Sequence, residues 1–147
     1  MSDIKAELVT MLNQALKMEH QARIQYLTHA EQVSGVNAEP IIARLRELAE
    51  DEEKHEGKFR NLIGSYLGGV PSMEIAETHA AKGVDSMLEV NLKDEKGAID
   101  FYKKIYAKIL ESKDALPYEF EALEHEVRHI ILEEQEHVTE LKTLIGK

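Results

Sequence analysis

The sequence contains no cysteine, and only three of its 147 residues are proline. Without cysteine the chain can form no disulfide, no thiolate metal site and no cysteine nucleophile. Scarce proline and only 5% aromatic residues, with abundant Ala, Leu, Glu and Lys, are typical of a mostly helical protein. The length suits one domain that buries its own core, so we expect residues 1–147 to form a single domain.

Positive charge is also scarce, because 18 Lys and Arg stand against 28 Asp and Glu, a formal net charge of -10. Such a chain offers no basic surface for phosphates, so we expect no nucleic-acid partner. The acidity can be a solvated surface or a field that attracts cations. No hydrophobic run approaches the roughly 18 residues of a membrane span. The polar N-terminus lacks the apolar region of a signal peptide. We therefore expect no membrane partner and a cytoplasmic location.

Four segments repeat apolar residues at intervals of three and four, which is the spacing of one helix face. These segments cover about 3–34, 40–69, 84–112 and 117–145. Gly35 follows the first segment as a helix-ending residue, and Pro40 and Pro117 stand where a first helical turn accepts proline. The connections between the segments are short, long and short, and the long one covers 70–83.

This order of connections pairs helix one with helix two and helix three with helix four. At roughly 3.3 Å per residue, an extended segment as long as 70–83 can run the height of a bundle. The sequence therefore predicts an all-α fold, a four-helix bundle with one long crossover between helices two and three.

Each helical stripe carries polar residues at its centre, where apolar residues belong. In the second helix the stripe runs from Ile41 to Tyr66 with Glu52 and His55 in the middle. The complete set of inward polar residues is Glu19, Glu52, His55, Glu95, Glu134 and His137. Helices one and three each have a lone Glu followed seven residues later by a Tyr, Tyr26 or Tyr102. Helices two and four each have Glu-x-x-His. This internal echo predicts a site with approximate two-fold symmetry.

The Glu-x-x-His spacing alone is weak evidence, since a Glu-rich chain contains such pairs by chance. A third pair, Glu126 and His129, lies off the stripe of helix four, and we interpret it as surface. We likewise expect His20, His79 and His125 to be exposed. Position in the helical stripe, and not spacing, distinguishes the other two pairs.

Four inward carboxylates in one layer would lose hydration and repel one another, at a cost of several kcal/mol each. Hydrogen bonds could satisfy one such Glu, but no inward Lys or Arg lies near the layer to neutralise four. Two divalent cations would balance the charge, so the pattern predicts a two-metal site. Carboxylate and imidazole ligands without sulfur favour Fe or Mn over structural Zn or Ca²⁺. The ligands leave coordination positions vacant on both metals, and such a site suits O2 or peroxide chemistry, which favours iron over manganese.

Short motifs around these residues carry a family resemblance. They are Leu12-Asn13 before Glu19, Gln25-Tyr26, His29-Ala30, Met87-Leu88 before Glu95, Gly97-Ala98 and the two inward Glu-x-x-His pairs. Together they resemble the ferritin-like superfamily, with its di-metal carboxylate bundle, and bacterioferritin most closely. The resemblance covers nearly all of the four helices and implies a ferritin-like four-helix bundle.

The resemblance also implies roles and an activity. Glu19, Glu52, His55, Glu95, Glu134 and His137 would hold two Fe ions, with Mn as the other candidate metal. Glu52 and Glu134 would bridge the metals, and Tyr26 would stand beside the site. The implied enzyme is a ferroxidase that binds Fe(II) and oxidises it to Fe(III) with O2 or H2O2, for iron storage or detoxification.

Three departures from relatives narrow these expectations. Glu53 occupies the position of the haem-ligating Met of bacterioferritin, so we expect no haem. The chain stops at Lys147, without the fifth helix of the 24-subunit ferritins, which argues against that large shell. Ala98 replaces an additional Glu of rubrerythrins. We expect a homo-oligomer, at least a dimer, and leave a closed shell open.

Two other functions stay open on the sequence. The same centre could activate oxygen on an organic substrate or reduce peroxide without storing iron. Alternatively, a redox-inactive Zn site could stabilise a helical module whose task is assembly.

Overall fold

Four α-helices form the chain, whose computed structural model describes residues 3–147. They are α1 (Asp3–Gln32), α2 (Ala38–Asn61), α3 (Val84–Glu111) and α4 (Phe120–Ile145). Residues 3–147 contain no β-strand. The closest pairings are α1 with α2 and α3 with α4. The predicted all-α four-helix bundle with one long crossover is confirmed.

The helices bury two apolar clusters. The first includes Leu8, Leu12, Phe59, Ile105 and Val127, and the second includes Leu45, Leu48, Leu88 and Leu141. The six inward polar residues belong to neither cluster, although they come from the middle of the same helices. The apolar stripes thus hold the bundle together at its two ends, and a polar layer lies between them. None of the described helices is both long and apolar enough to cross a membrane.

The end of the second helical segment differs from the sequence prediction. After Asn61 the chain continues as a π-helical turn, Leu62–Tyr66, and the amide of Gly69 donates to the Ile63 carbonyl over 2.8 Å. The wider turn buries Leu62 and Ile63 but leaves Tyr66 40% exposed. The prediction that Tyr66 faces the core was wrong because the helical repeat changes before the stripe reaches it.

The start of α4 also differs. A short 3₁₀ turn, Lys113–Ala115, is followed by Leu116, which is fully buried in the first apolar cluster. Pro117 disfavours helical geometry at the residue before it, and Leu116 has φ -128° and ψ 61°. The helix therefore begins at Phe120 and not, as expected, around Pro117.

The crossover segment, 70–83, runs along α1. The Asn13 side chain donates to the Val70 carbonyl over 3.0 Å, and the amide of Ala76 donates to the Lys17 carbonyl over 3.0 Å. These contacts satisfy backbone groups of a segment that has no regular structure of its own.

One histidine under the crossover segment was wrongly expected to be exposed. His20 is only 8% exposed, donates from Nδ1 to the Glu74 carbonyl over 2.7 Å, and accepts at Nε2 from Arg60 over 2.9 Å. Glu56, which is also buried, pairs with Arg60 over 3.0 Å. The sequence prediction missed the burial of His20 because the segment that covers it has no helical pattern.

The contact of Gly69 with α1 gives a test of this packing. A Cβ at Gly69 would lie 2.7 and 2.8 Å from the two methyl carbons of Val9. We expect Gly69→Ala to lower the free energy of unfolding by about 1–3 kcal/mol, because the stiff Val9 side chain cannot move aside easily. Urea denaturation of the purified variant measures the change.

Gly97→Ala is the matched control, since Gly97 lies in α3 and a Cβ added there would meet no neighbouring group of residues 3–147 within 4 Å. That variant should gain about 0.5–1 kcal/mol from the better helix propensity of Ala. Equal midpoints for Gly69→Ala and the parent protein would contradict the packing of Gly69 on Val9.

Candidate metal centre

The six inward residues converge on one buried layer. Each of Glu19, Glu52, His55, Glu95, Glu134 and His137 is at most 2% exposed. They form two groups of four whose ligand atoms lie within 4.8 Å of one another. The first group holds Glu19, Glu52, His55 and Glu134, and the second holds Glu52, Glu95, Glu134 and His137. Two adjacent clusters of oxygen and nitrogen atoms therefore share Glu52 and Glu134.

The two clusters are related by the approximate two-fold symmetry that the sequence predicted. His55 Nδ1 lies 3.2 Å from Glu134 Oε1, and His137 Nδ1 lies 3.2 Å from Glu52 Oε1. The imidazole rings are 6.1 Å apart with an angle of 26° between their planes. Each ring thus faces the shared carboxylates from its own end of the layer.

Every one of the six side chains keeps a buried atom without a hydrogen-bond partner. These atoms are Glu19 Oε2, Glu52 Oε1, His55 Nδ1, Glu95 Oε2, Glu134 Oε1 and His137 Nδ1. A buried polar atom left without a partner is costly, so a set of six in one layer calls for a compensating group. Carboxylate oxygens and imidazole nitrogens that face one another are a suitable donor set for divalent metal ions.

Burial and crowding shift the pKa values in the metal-free layer. Burial, followed by the charge of Glu134, raises the pKa of Glu52 well above its usual range and that of Glu95 to about 8. Burial alone would lower the pKa of His55, but Glu19 and its neighbours raise it. The pKa of His137 is also raised against the effect of burial, by the adjacent carboxylates of Glu134 and Glu52. Without metal, this layer therefore retains protons near neutral pH.

Two acidic residues that the helical pattern did not indicate hold the histidines. His137 Nε2 lies 3.0 Å from Asp51 Oδ2, and His55 Nε2 lies 2.5 Å from Glu133 Oε2. When the proton is on Nε2, the Nδ1 atom of each ring has no proton. It faces the layer and can bind a metal ion. Each acid directly precedes the shared Glu of its own helix. The doublets Asp51-Glu52 and Glu133-Glu134 are therefore the feature of the sequence from which these two contacts could have been predicted.

Two tyrosines contact the carboxylates at the opposite corners. The Tyr26 hydroxyl donates to Glu95 Oε1 over 2.7 Å, and the Tyr102 hydroxyl donates to Glu19 Oε1 over 2.7 Å. Burial and the neighbouring carboxylates raise the pKa of both phenols well above the usual value, so each keeps its proton and stays a donor. Tyr102 is thus the symmetric counterpart of Tyr26 beside the layer.

The third Glu-x-x-His pair lies outside the layer. Glu126 Oε2 is 3.6 Å from the Lys58 ammonium, and the His129 ring lies 4.2 Å from the ring of His125. Neither residue belongs to the two metal-ligand groups. The position of this pair off the helical stripe therefore correctly indicated that it lies outside the layer.

The comparison with known proteins decides the family. A family model described as a ferritin-like domain matches residues 9–147. The chain belongs to the ferritin-like family. No curated protein sequence matches this ferritin-like chain.

Solved structures agree with this assignment. A ferritin-like, diiron-carboxylate protein from Bacillus anthracis str. Ames is 27% identical, with a TM-score of 0.90 and 99% of both chains covered. Rhodobacter capsulatus bacterioferritin is 25% identical, with a TM-score of 0.85 over 96% of this chain and 84% of that one. Desulfovibrio desulfuricans bacterioferritin is 25% identical, with a TM-score of 0.86 over 98% and 81%.

Substitution of a shared carboxylate tests whether the layer binds metal. We expect added Mn(II) to stabilise the parent protein by about 2.7 kcal/mol for each site at one hundred times its dissociation constant. Glu52→Gln should lose this gain because Glu52 belongs to both ligand groups. Thermal unfolding with and without Mn(II) measures it.

Without metal, Glu52→Gln should unfold close to the parent temperature or above it, since Gln has the shape of Glu and removes one of four crowded, buried carboxylates. Glu126→Gln is the control and should retain the full gain from Mn(II). An undiminished gain in Glu52→Gln would remove Glu52 from the metal site.

Proposed function

We propose that this ferritin-like protein is a ferroxidase that binds two Fe(II) ions in the buried layer and oxidises them to Fe(III). The observation that carries the proposal is the set of six buried side-chain atoms without hydrogen-bond partners, arranged as two ligand groups with two shared carboxylates. Four Glu charges balance two divalent ions. Mn(II) is the other metal that this donor set suits.

The neighbouring structures support iron. The Bacillus anthracis protein is described as diiron-carboxylate, and the Desulfovibrio desulfuricans bacterioferritin was studied with its diiron site reduced and reoxidised. The Rhodobacter capsulatus bacterioferritin contains haem iron and a dinuclear site that is free of metal in that structure. Haem is not part of our proposal, because Glu53 stands where bacterioferritin has its haem-ligating Met.

The reaction would remove one electron from each of two Fe(II) ions. Those two electrons and two protons convert O2 to H2O2, or H2O2 to two molecules of water. In this scheme the chain binds the two ions, orients their ligands and shields the layer from water. Glu52 and Glu134 would contact both ions, while Glu19 with His55 and Glu95 with His137 would each complete one end.

The residues around the ligands keep them in place. Asp51 and Glu133 hold the outer nitrogens of the two imidazoles, so that the inner nitrogens face the layer. The two phenols each hold one oxygen of a corner carboxylate and leave the other oxygen without a partner. Ligands held this way need little rearrangement when iron changes its charge.

The space beside the layer supports a small oxidant. A cavity of about 20 Å³ touches Glu52, Glu95, Glu134 and both tyrosines. Roughly 10–15 Å³ of such space holds one water molecule, so the cavity can admit O2 or H2O2 and is too small for an organic substrate. This favours iron oxidation over the alternative of an oxygen-activating enzyme with an organic substrate.

Removal of both shared carboxylates tests the activity. Glu52→Ala with Glu134→Ala should abolish Fe(II) oxidation above the uncatalysed background, because each metal group loses two of its four ligands. Absorbance of the Fe(III) product after addition of Fe(II) in air measures the rate.

The matched control replaces the surface pair, Glu126→Ala with His129→Ala, and should oxidise Fe(II) at the parental rate. Unchanged oxidation in the Glu52 and Glu134 variant would refute the proposal. A parent protein that binds Zn(II) in the layer but does not oxidise Fe(II) would support the assembly module instead.

We also propose that the chain forms a homo-oligomer. Ile24 and Leu27 present large apolar side chains to solvent on α1, and a second copy would bury them. The number of chains in the oligomer distinguishes iron detoxification from iron storage. A dimer cannot enclose a mineral core, whereas a closed shell can. We expect light scattering after size exclusion to give a mass of at least two chains. A monomer would contradict this.

A further inference from the structure

The metal layer is closed on the side of α2 and α4. The rings of His55 and His137 lie there, and each bonds outward to a half-exposed carboxylate, Glu133 or Asp51. Movement of a cation through this side would require a ligand ring to turn away and break its hydrogen bond.

The opposite side, between α1 and α3, contains the cavity beside the layer. Glu52, Glu95 and Glu134 line its inner part, and Gln21 and Asp94 line it nearer the surface. The side chain of Asp94 is 20% exposed, whereas the three Glu side chains are buried. Asp94 is thus the one carboxylate of the cavity wall that reaches solvent.

The surroundings of Asp94 suit a cation. Asp94 Oδ2 accepts from Gln25 over 2.8 Å, from Gln21 over 3.3 Å, and lies 3.0 Å from His79 Nδ1. No Lys or Arg within residues 3–147 forms an ion pair with it. An aspartate beside an imidazole offers an oxygen and a nitrogen ligand, both suited to Fe(II).

A surface cleft lies beside this position. It has a volume of about 160 Å³ and lies between α1 and the crossover segment, with Gln25 and His79 in its wall. Both of these residues also contact Asp94. Asp94 therefore lies between the cleft, whose wall residues Gln25 and His79 contact it, and the inner cavity, which it lines together with Glu95.

We propose that this seam between α1, α3 and the crossover segment is the port through which divalent cations reach the buried layer. Asp94, with His79 beside it, is the transient ligand at the outer end of the port. The acidic charge of the chain, -10 overall, favours cations at such a position. The proposal rests on the metal-binding function proposed above and adds the route to it.

Stopped-flow loading with Co(II) tests the port, because the absorbance of bound Co(II) reports ligation without any redox turnover. Asp94→Asn should lower the loading rate constant about tenfold, since a focused charge of this kind accelerates association by roughly 10–10³-fold. The final amount of two Co(II) per chain should stay the same.

Asp100→Asn is the matched control, because Asp100 is exposed on the same helix and the charge change is identical. It should load at the parental rate. Ala22→Leu adds a test without a charge change, since Ala22 lines the cavity and a larger side chain should also slow loading.

The outcomes separate the two proposals. Parental loading rates in Asp94→Asn would overturn the port. Equal slowing in Asp100→Asn would also overturn it, because a general field would then explain the effect. Weaker final binding without slower loading would place Asp94 in the metal site itself and overturn its role as a transient ligand. If the parent protein binds no Co(II), the metal-binding function fails, whatever the route.

Discussion

Four carboxylates buried in one layer are the constraint on which the rest of this structure depends. A hydrophobic core of four helices would be more stable with apolar residues at those positions, since buried charges are costly even when they are paired. The chain instead divides its core into two apolar clusters, one on each side of the layer. The clusters supply the stability that lets six polar side chains face one another. The ligand residues and the residues that form the apolar core thus lie at different heights along the same helices.

The layer is supported by a surrounding set of hydrogen bonds that follows the same approximate two-fold symmetry. Each lone Glu receives a bond from a tyrosine on the other lone-Glu helix, and each histidine bonds to an acid on the opposite Glu-x-x-His helix. These bonds cross between helices, so they fix the helices relative to one another as well as the ligands. A site built in this way keeps its geometry because several elements would have to move together to change it.

Asymmetry enters through the crossover segment. It lies against α1 and reaches α3 at His79, and its contacts with Gln25 and Asp94 have no counterpart in the two-fold echo of the ligands. The side of the layer next to it holds the cavity, while the other side holds the histidine rings. A symmetric set of ligands therefore has two chemically different faces. The port proposed above is a consequence of this difference.

The sequence by itself determined the helices, their pairing and the six residues of the layer, because helical periodicity places residues on a face before any packing is known. It also separated the surface pair Glu126 and His129 from the pairs that face inward. The tertiary structure decided what periodicity cannot describe. Tyr66 turned outward at a π-helical turn, Leu116 entered the core before α4, and the crossover segment covered His20. Asp51, Glu133 and Asp94 lie off the apolar stripes, and their contacts depend on how neighbouring helices and the crossover segment meet. Contacts of that kind are set by the packing of segments distant in sequence, so only the folded chain shows them.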